Sequence, residues 1–152
     1  MSSVTKQSAV ALREITSDTV REICGLSVGQ SQRKFVAHNA LSIAEARYSE
    51  FAWERAVYAD ESAVGFLMLH DDPAKPEYYL WRFMIDQRYQ RLGFGRRAME
   101  ILIEHVKKRP GATELLTSCV QDDGGPQPFY ESLGFVFTGA FDDGEAVLRL
   151  RL

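Results

Sequence analysis

The stretch YQRLGFGRRAMEILIEHVKK, residues 89–108, constrains this chain more than any other. Two glycines one residue apart, Gly93 and Gly95, run at once into a helical pattern with Ala98, Ile101, Leu102 and Val106 on one apolar stripe. The preceding EYYLWRFMID, residues 77–86, reads as a long strand rich in aromatics. A helix start carries unpaired N–H groups and roughly half a positive charge. Such a terminus takes anions, and glycine lets a phosphate approach the backbone with no side chain in the way. Gln90, Arg91 and Arg96 add donors or charge around it. The stretch therefore predicts a pyrophosphate cradle. It is not a dinucleotide fingerprint, because Ala98 stands where a third glycine is needed, nor a triphosphate P-loop, whose lysine and hydroxyl are absent.

The rest of the chain supplies the surroundings. AVALREI (9–15) alternates like a half-buried strand, and Ser17 and Asp18 offer caps for a helix to about Leu26. SQRKFVAHN reads as a short helix, and Ser42 with Glu45 forms a capping box for a helix to about Ala52. ERAVYAD and AVGFLMLHD read as a hairpin turning near Asp60-Glu61-Ser62. ELLTSCV (114–120) is a buried strand, PQPFYESLGF a short helix stopped by Gly134, and the last two strands turn around Asp142-Asp143-Gly144. The order β α α β β β α β α β β combines a local parallel unit with two hairpins. It predicts an α/β (α+β) fold: one mixed sheet with helices on both faces, in a single domain spanning 1–152.

Bulk properties narrow the function classes. Hydrophobic residues make up 45% and charged residues 26%, as in an ordinary globular protein, and the formal net charge of −3 disfavours wholesale nucleic-acid binding. No run approaches a membrane span or a signal peptide, so no membrane partner and a cytoplasmic setting are expected. Cys24 and Cys119 read as buried free thiols in a reduced compartment. His38, His70 and His105 are scattered, and no metal site is expected. Trp53, Tyr58, Tyr78 and Tyr79 read first as packing residues, and His105 as a polar-face helix residue.

Gln90-Arg91-Leu92-Gly93-Phe94-Gly95 resembles the Q/R-x-x-G-x-G/A motif of the GNAT superfamily of acyl-CoA N-acyltransferases. PFYESLGF, 128–135, resembles that family's second signature, at the same separation of one helix and one strand. Within the superfamily, RFMIDQRYQRLGFG, PFYESLGF and GAFDDGEAVLRLRL look most like bacterial spermine/spermidine (diamine) N-acetyltransferases. The resemblance implies a mostly antiparallel twisted sheet, acetyl-CoA as co-substrate, a small-molecule amine as acceptor, and a homodimer as in many relatives. It also implies that backbone groups of Phe83, Met84 and Ile85 pair with the pantetheine arm, on a strand splayed by a bulge. Gln90 to Arg96, including Leu92 and Phe94, would hold the pyrophosphate, with Phe129 and Tyr130 close to the thioester.

The chemistry makes two demands. An alkylamine with a lysine-like pKa of about 10.4 is only about one part in 2,500 neutral at pH 7, so its proton must be removed. The departing thiolate must be met by an acid. The resemblance places Tyr130 there as the catalytic acid. Some relatives carry the base as a glutamate on the strand before the glycine motif, but here that strand has Trp81 and Arg82. Arg82 would repel a cation unless an acid pairs with it. Glu50, Glu54, Glu77 and Glu145 are candidates for the base or for holding an amine, with Trp81 as an aromatic wall, and a water chain would serve as well. Acceptors other than a polyamine stay open: a protein N-terminus or lysine, or an aminoglycoside-like amine. So does a non-catalytic acyl-CoA-binding module.

Overall fold

The computed structural model describes residues 3–152 of the chain. Its frame is one seven-stranded sheet in the order β1-β2-β3-β4-β5-β7-β6. The strands are β1 (Val10–Arg13), β2 (Ala52–Ala59), β3 (Ser62–Asp72), β4 (Glu77–Ile85), β5 (Glu114–Cys119), β6 (Val136–Asp142) and β7 (Glu145–Arg151). Only β4 and β5 run parallel; every other pairing is antiparallel. The mixed α/β sheet anticipated from the element order is present, and it is mostly antiparallel, as the resemblance implies. The parallel step is the one that α3 (Phe94–Lys107) bridges, as a parallel pair requires.

Helices cover both faces, and the central strand shows why. β3 reads AVGFLML, a nearly unbroken apolar run that suits a strand buried on two sides. Val64, Leu67 and Leu69 pack toward α3 and α4 (Gln127–Ser132), beside Met99, Leu102 and Phe135. Ala63, Phe66 and Met68 pack the other way, with Ile23 of α1 (Val20–Gly25) and Ile43 of α2 (Asn39–Ala46). Each large side chain fully buried here stabilises by about 1.5–3 kcal/mol. Gly65 is required where β3 meets β4, since a Cβ there would strike the Met84 carbonyl oxygen and the Ile85 side chain.

Three local expectations shift. Ser42 does not cap α2; it lies inside the helix, fully buried, with its hydroxyl unpartnered. The helix begins at Asn39, whose side-chain Nδ2 donates to the Ile23 carbonyl at 2.9 Å and ties its start to α1, and it ends at Ala46. Neither Ser17 nor Asp18 caps α1: the Thr16 amide donates to the Thr19 hydroxyl at 2.9 Å, and the helix opens from that turn at Val20. SQRKFVAHN becomes a 3-10 helix over Gln30–Phe35.

Candidate active site

The site begins with a defect in strand pairing. Met68 pairs with Arg82 and Leu69 with Leu80, so Trp81 is an extra residue on β4, a bulge. On its other edge β4 pairs with β5 at Tyr79–Leu116 and Leu80–Thr117 only. Beyond Leu80 the two strands part, and the gap opens a cavity of about 790 Å³. The Asp86 amide donates to the Val64 carbonyl on the β3 side at 2.8 Å. By alternation Met84 also turns its backbone to β3, while Phe83 and Ile85 turn theirs to the gap. Gln90 Nε2 takes the Ile85 carbonyl at 2.8 Å.

The glycine stretch forms the cavity's other end. Gly93 precedes α3 with φ +83°, which only glycine adopts freely, and nothing lies within 4 Å of where its Cβ would stand. Arg91 also takes a positive φ, 64°. The first α3 hydrogen bond runs from the Arg97 amide to the Gly93 carbonyl, so the amides of Phe94, Gly95 and Arg96 precede the helix ladder, and no side chain caps them. Gln90, Arg91, Gly93, Gly95 and Arg96 line the cavity there. Among the described residues Arg91 has no ion-pair partner. This donor set fits the diphosphate of a CoA thioester. The three arginines divide their work: Arg96 also bridges to Ser132 at 2.9 Å, while Arg97 holds the Ser8 carbonyl at 2.6 Å and serves the fold. Leu92 packs on the α3-side core and does not line the cavity, and the Phe94 ring is buried and anchors the helix start.

Two successive residues of β5 organise the chemistry. Thr117 is buried and donates to the Leu80 carbonyl at 3.0 Å, at the last β4–β5 pair before the gap. The Tyr130 phenol lies beside Thr117. Burial pushes the Tyr130 phenol well above its ordinary range. The group therefore stays protonated at neutral pH and is available as a donor. Ser118 faces the opposite side of the sheet and donates to Glu145 Oε1 at 3.1 Å. Tyr130, Glu145 and Trp81 all line the cavity, and Phe129 stacks with Phe83 across it at 6.0 Å.

The remaining candidates lie elsewhere. Glu50 is exposed in the loop before β2 and Glu77 sits at the start of β4, 3.9 Å from His70 Nε2; neither lines the cavity. Glu54 is on β2, two strands from the gap, where burial raises its carboxyl and its Oε2 is unpartnered. Arg82 lines the cavity and meets Glu45 of α2 at 3.6 Å, which supplies the acid its position demands. His70, Asp72 and Glu77 bring ligand atoms within 4.8 Å of one another, a grouping that histidine spacing did not suggest. His105 is half-buried and stacked on Trp53 at 4.2 Å rather than on the polar face, and Cys24 is only half-buried. Sequence reading passed over Asp86. It is buried, and it accepts from the Ser27 and Arg88 amides and Arg88 Nε, pinning the segment after α1 to the end of β4. Its signal was the aspartate two residues before Arg88, at the head of a short 3-10 turn.

A sheet split beside a glycine-led helix, with a phenol at the fork, defines the acyl-CoA-dependent N-acyltransferase class. Residues 11–135 match the family described as "Acetyltransferase (GNAT) family", and the chain belongs to it. The protein is accordingly an N-acetyltransferase that depends on acyl-CoA. It is 25% identical over 147 residues to the spermine/spermidine N(1)-acetyltransferase of Bacillus subtilis (strain 168), covering 92% of this chain and 97% of that protein. Its fold is similar to a ribosomal-protein alanine N-acetyltransferase from Escherichia coli (TM-score 0.71, 19% identity, 94% of each chain). It is also similar to the PaiA N-acetyltransferase of Thermoplasma acidophilum, crystallised with coenzyme A (TM-score 0.69, 13% identity, 95% and 99% of the two chains). Among the described residues no helix is long and apolar enough to cross a membrane.

Proposed function

We propose that the chain is a single acetyltransferase domain that moves the acetyl group of acetyl-CoA to a primary amine of a small molecule, with a polyamine such as spermidine or spermine as acceptor. The observation that carries this reading is the cavity itself: one gap between β4 and β5 joins the uncapped α3 terminus to the buried Tyr130 hydroxyl. The α3 amides, with Arg91 and Arg96, hold the diphosphate. The edge of β4 at Phe83 and Ile85 takes the pantetheine as an added strand, and an amide there polarises the thioester carbonyl. Tyr130 hydrogen-bonds the leaving sulfur. The polyamine acceptor is supported by the Bacillus relative and by an ammonium-binding wall of Trp81 and Glu145.

Arg82 and Lys34 favour a second acceptor. Both line the cavity, Arg82 paired with Glu45 and Lys34 with Asp122, and their N–H donors suit a peptide carbonyl beside an α-amine better than a second ammonium. The deciding experiment follows free thiol from acetyl-CoA with propylamine, spermidine, spermine and an alanine-led peptide. Spermidine is expected to exceed propylamine in kcat/KM, with an advantage that shrinks as salt rises. Equal values for the two at low salt overturn the polyamine acceptor, and preference for the peptide installs the second. CoA bound tightly with no thiol release for any amine leaves a binding module.

A further inference from the structure

We infer that Glu145 is the catalytic base that receives the acceptor's proton, held in place by Ser118. The inference rests on the acetyl-transfer reading above and deepens it.

Glu145 is the only carboxylate among the described residues that line the cavity, alongside four cations, Lys34, Arg82, Arg91 and Arg96. Among the lining residues an arriving ammonium meets no other anion, and the nearby Glu45 and Asp122 are paired with Arg82 and Lys34. The placement is equally specific. β7 lies beside β5, with Thr117 paired to Leu148 and Cys119 to Ala146, so the Glu145 backbone stands just past the fork where β4 leaves β5, and its side chain reaches back to Ser118. Thr117 and Ser118 are consecutive, and consecutive strand residues face opposite sides. Thr117 faces the α3 side with Leu115 and Cys119, where Tyr130 packs, and Ser118 carries Glu145 on the other. The acid and the base thus flank the gap from its two faces, and a thioester lying in the gap passes between them. The Ser118 hydroxyl occupies Oε1 and leaves Oε2 for the acceptor. Glu145 is also near enough to push the Tyr130 phenol upward by charge repulsion.

The proton account closes. The acceptor ammonium gives one proton to Glu145 and becomes a neutral amine with a free lone pair. That pair forms the C–N bond at the thioester carbon while the carbonyl π pair moves to oxygen. On collapse the oxygen pair re-forms C=O and the C–S bond breaks, sulfur keeping the bonding pair. The nitrogen's remaining extra proton reaches sulfur by way of the Tyr130 hydroxyl, which ends as it began. Glu145 releases its proton to solvent. The sum is ammonium and acetyl thioester giving amide, thiol and one proton.

Glu145→Gln tests this, because the amide keeps an oxygen for the Ser118 hydroxyl and only the basicity is lost. Turnover is compared for ethylamine, charged at pH 7, and 2,2,2-trifluoroethylamine, whose fluorines keep it mostly neutral. The expected result is a fall in kcat of about 10²-fold or more with ethylamine, under about tenfold with the fluorinated amine, and unchanged acetyl-CoA affinity by calorimetry. Equal falls for both amines, or a change confined to KM, overturn the base assignment and leave Glu145 an anchor. Wild-type kinetics retained by the variant overturn it outright. No turnover by the wild-type protein with any amine removes the acetyl-transfer reading, and the base with it, an outcome distinct from the others.

Discussion

Thr117 and Ser118 are neighbours on β5 whose hydroxyls work on opposite faces of the sheet, one at the Leu80 carbonyl 3.0 Å away, the other at Glu145 Oε1, 3.1 Å away. The fork between β4 and β5 begins at this pair, so a single peptide unit sets where the strands part and what each face presents.

Tyr130→Phe should lower kcat by about 10²–10⁴-fold, the range of general acid catalysis, while acetyl-CoA affinity barely changes. The ring keeps its edge contacts with Phe129 and Phe135, so packing survives the loss of the hydroxyl. An interaction made with the departing sulfur is stronger in the transition state, and its loss appears in kcat. Steady-state kinetics with a circular-dichroism control checks this. A kcat within about threefold of wild type, with chemistry limiting, makes Tyr130 a packing residue.

Gly93→Asp should abolish CoA binding in a chain that still folds. The space around Gly93 is open, so the fold bears only the cost of a side chain at φ +83°, about 1 kcal/mol for a residue such as aspartate or asparagine that tolerates this region. The added carboxylate, however, meets the diphosphate at a helix N-terminus. Gly93→Asn carries the same backbone cost without the charge and should retain much more affinity. Calorimetry with CoA compares the two, and equal affinities place the diphosphate elsewhere.

Asp86→Ala should destabilise the fold by about 1–3 kcal/mol, since the Ser27 and Arg88 amides lose a buried acceptor. Urea denaturation measures it. The same change frees the segment after α1, which carries Val28 and Gln32 of the cavity wall, so KM for the amine should rise more than KM for acetyl-CoA.

The His105 imidazole is held below its ordinary value of 6.5, chiefly by burial against Trp53. Its neutral form is favoured by folding, so its contribution is complete above about pH 6.5. As pH falls below that, the unfolded chain binds the proton first and stability drops, until the folded value is passed and the drop ends. His105→Phe keeps a ring on Trp53 and removes the titration. The difference in melting temperature between wild type and variant should therefore widen in the variant's favour from neutral pH downward. A constant difference across that range shows that His105 does not titrate in the fold.

The element order, the central β3 strand and the glycine-led α3 were legible because their signals are local. A period of two, a period near 3.6, and a glycine at a helix mouth each lie within a dozen residues and reflect what the backbone and its nearest neighbours allow. The motif around Tyr130 marked a residue that does line the cavity. Helix α2 was misread because its start is set by Asn39 reaching Ile23, a contact that outweighs the Ser42–Glu45 spacing. Glu50, Glu54, Glu77 and Glu145 were indistinguishable as letters. Tertiary structure separated them: β7 inserts between β5 and β6, which brings Glu145 to Ser118, 27 residues away in sequence, while Glu54 is left two strands from the gap. The sequence by itself determined most of the strands and helices and the glycine-led start of α3. Only the pairing of distant strands decided which of these carboxylates lines the cavity between β4 and β5, because convergence of side chains across a sheet depends on register rather than on any local preference.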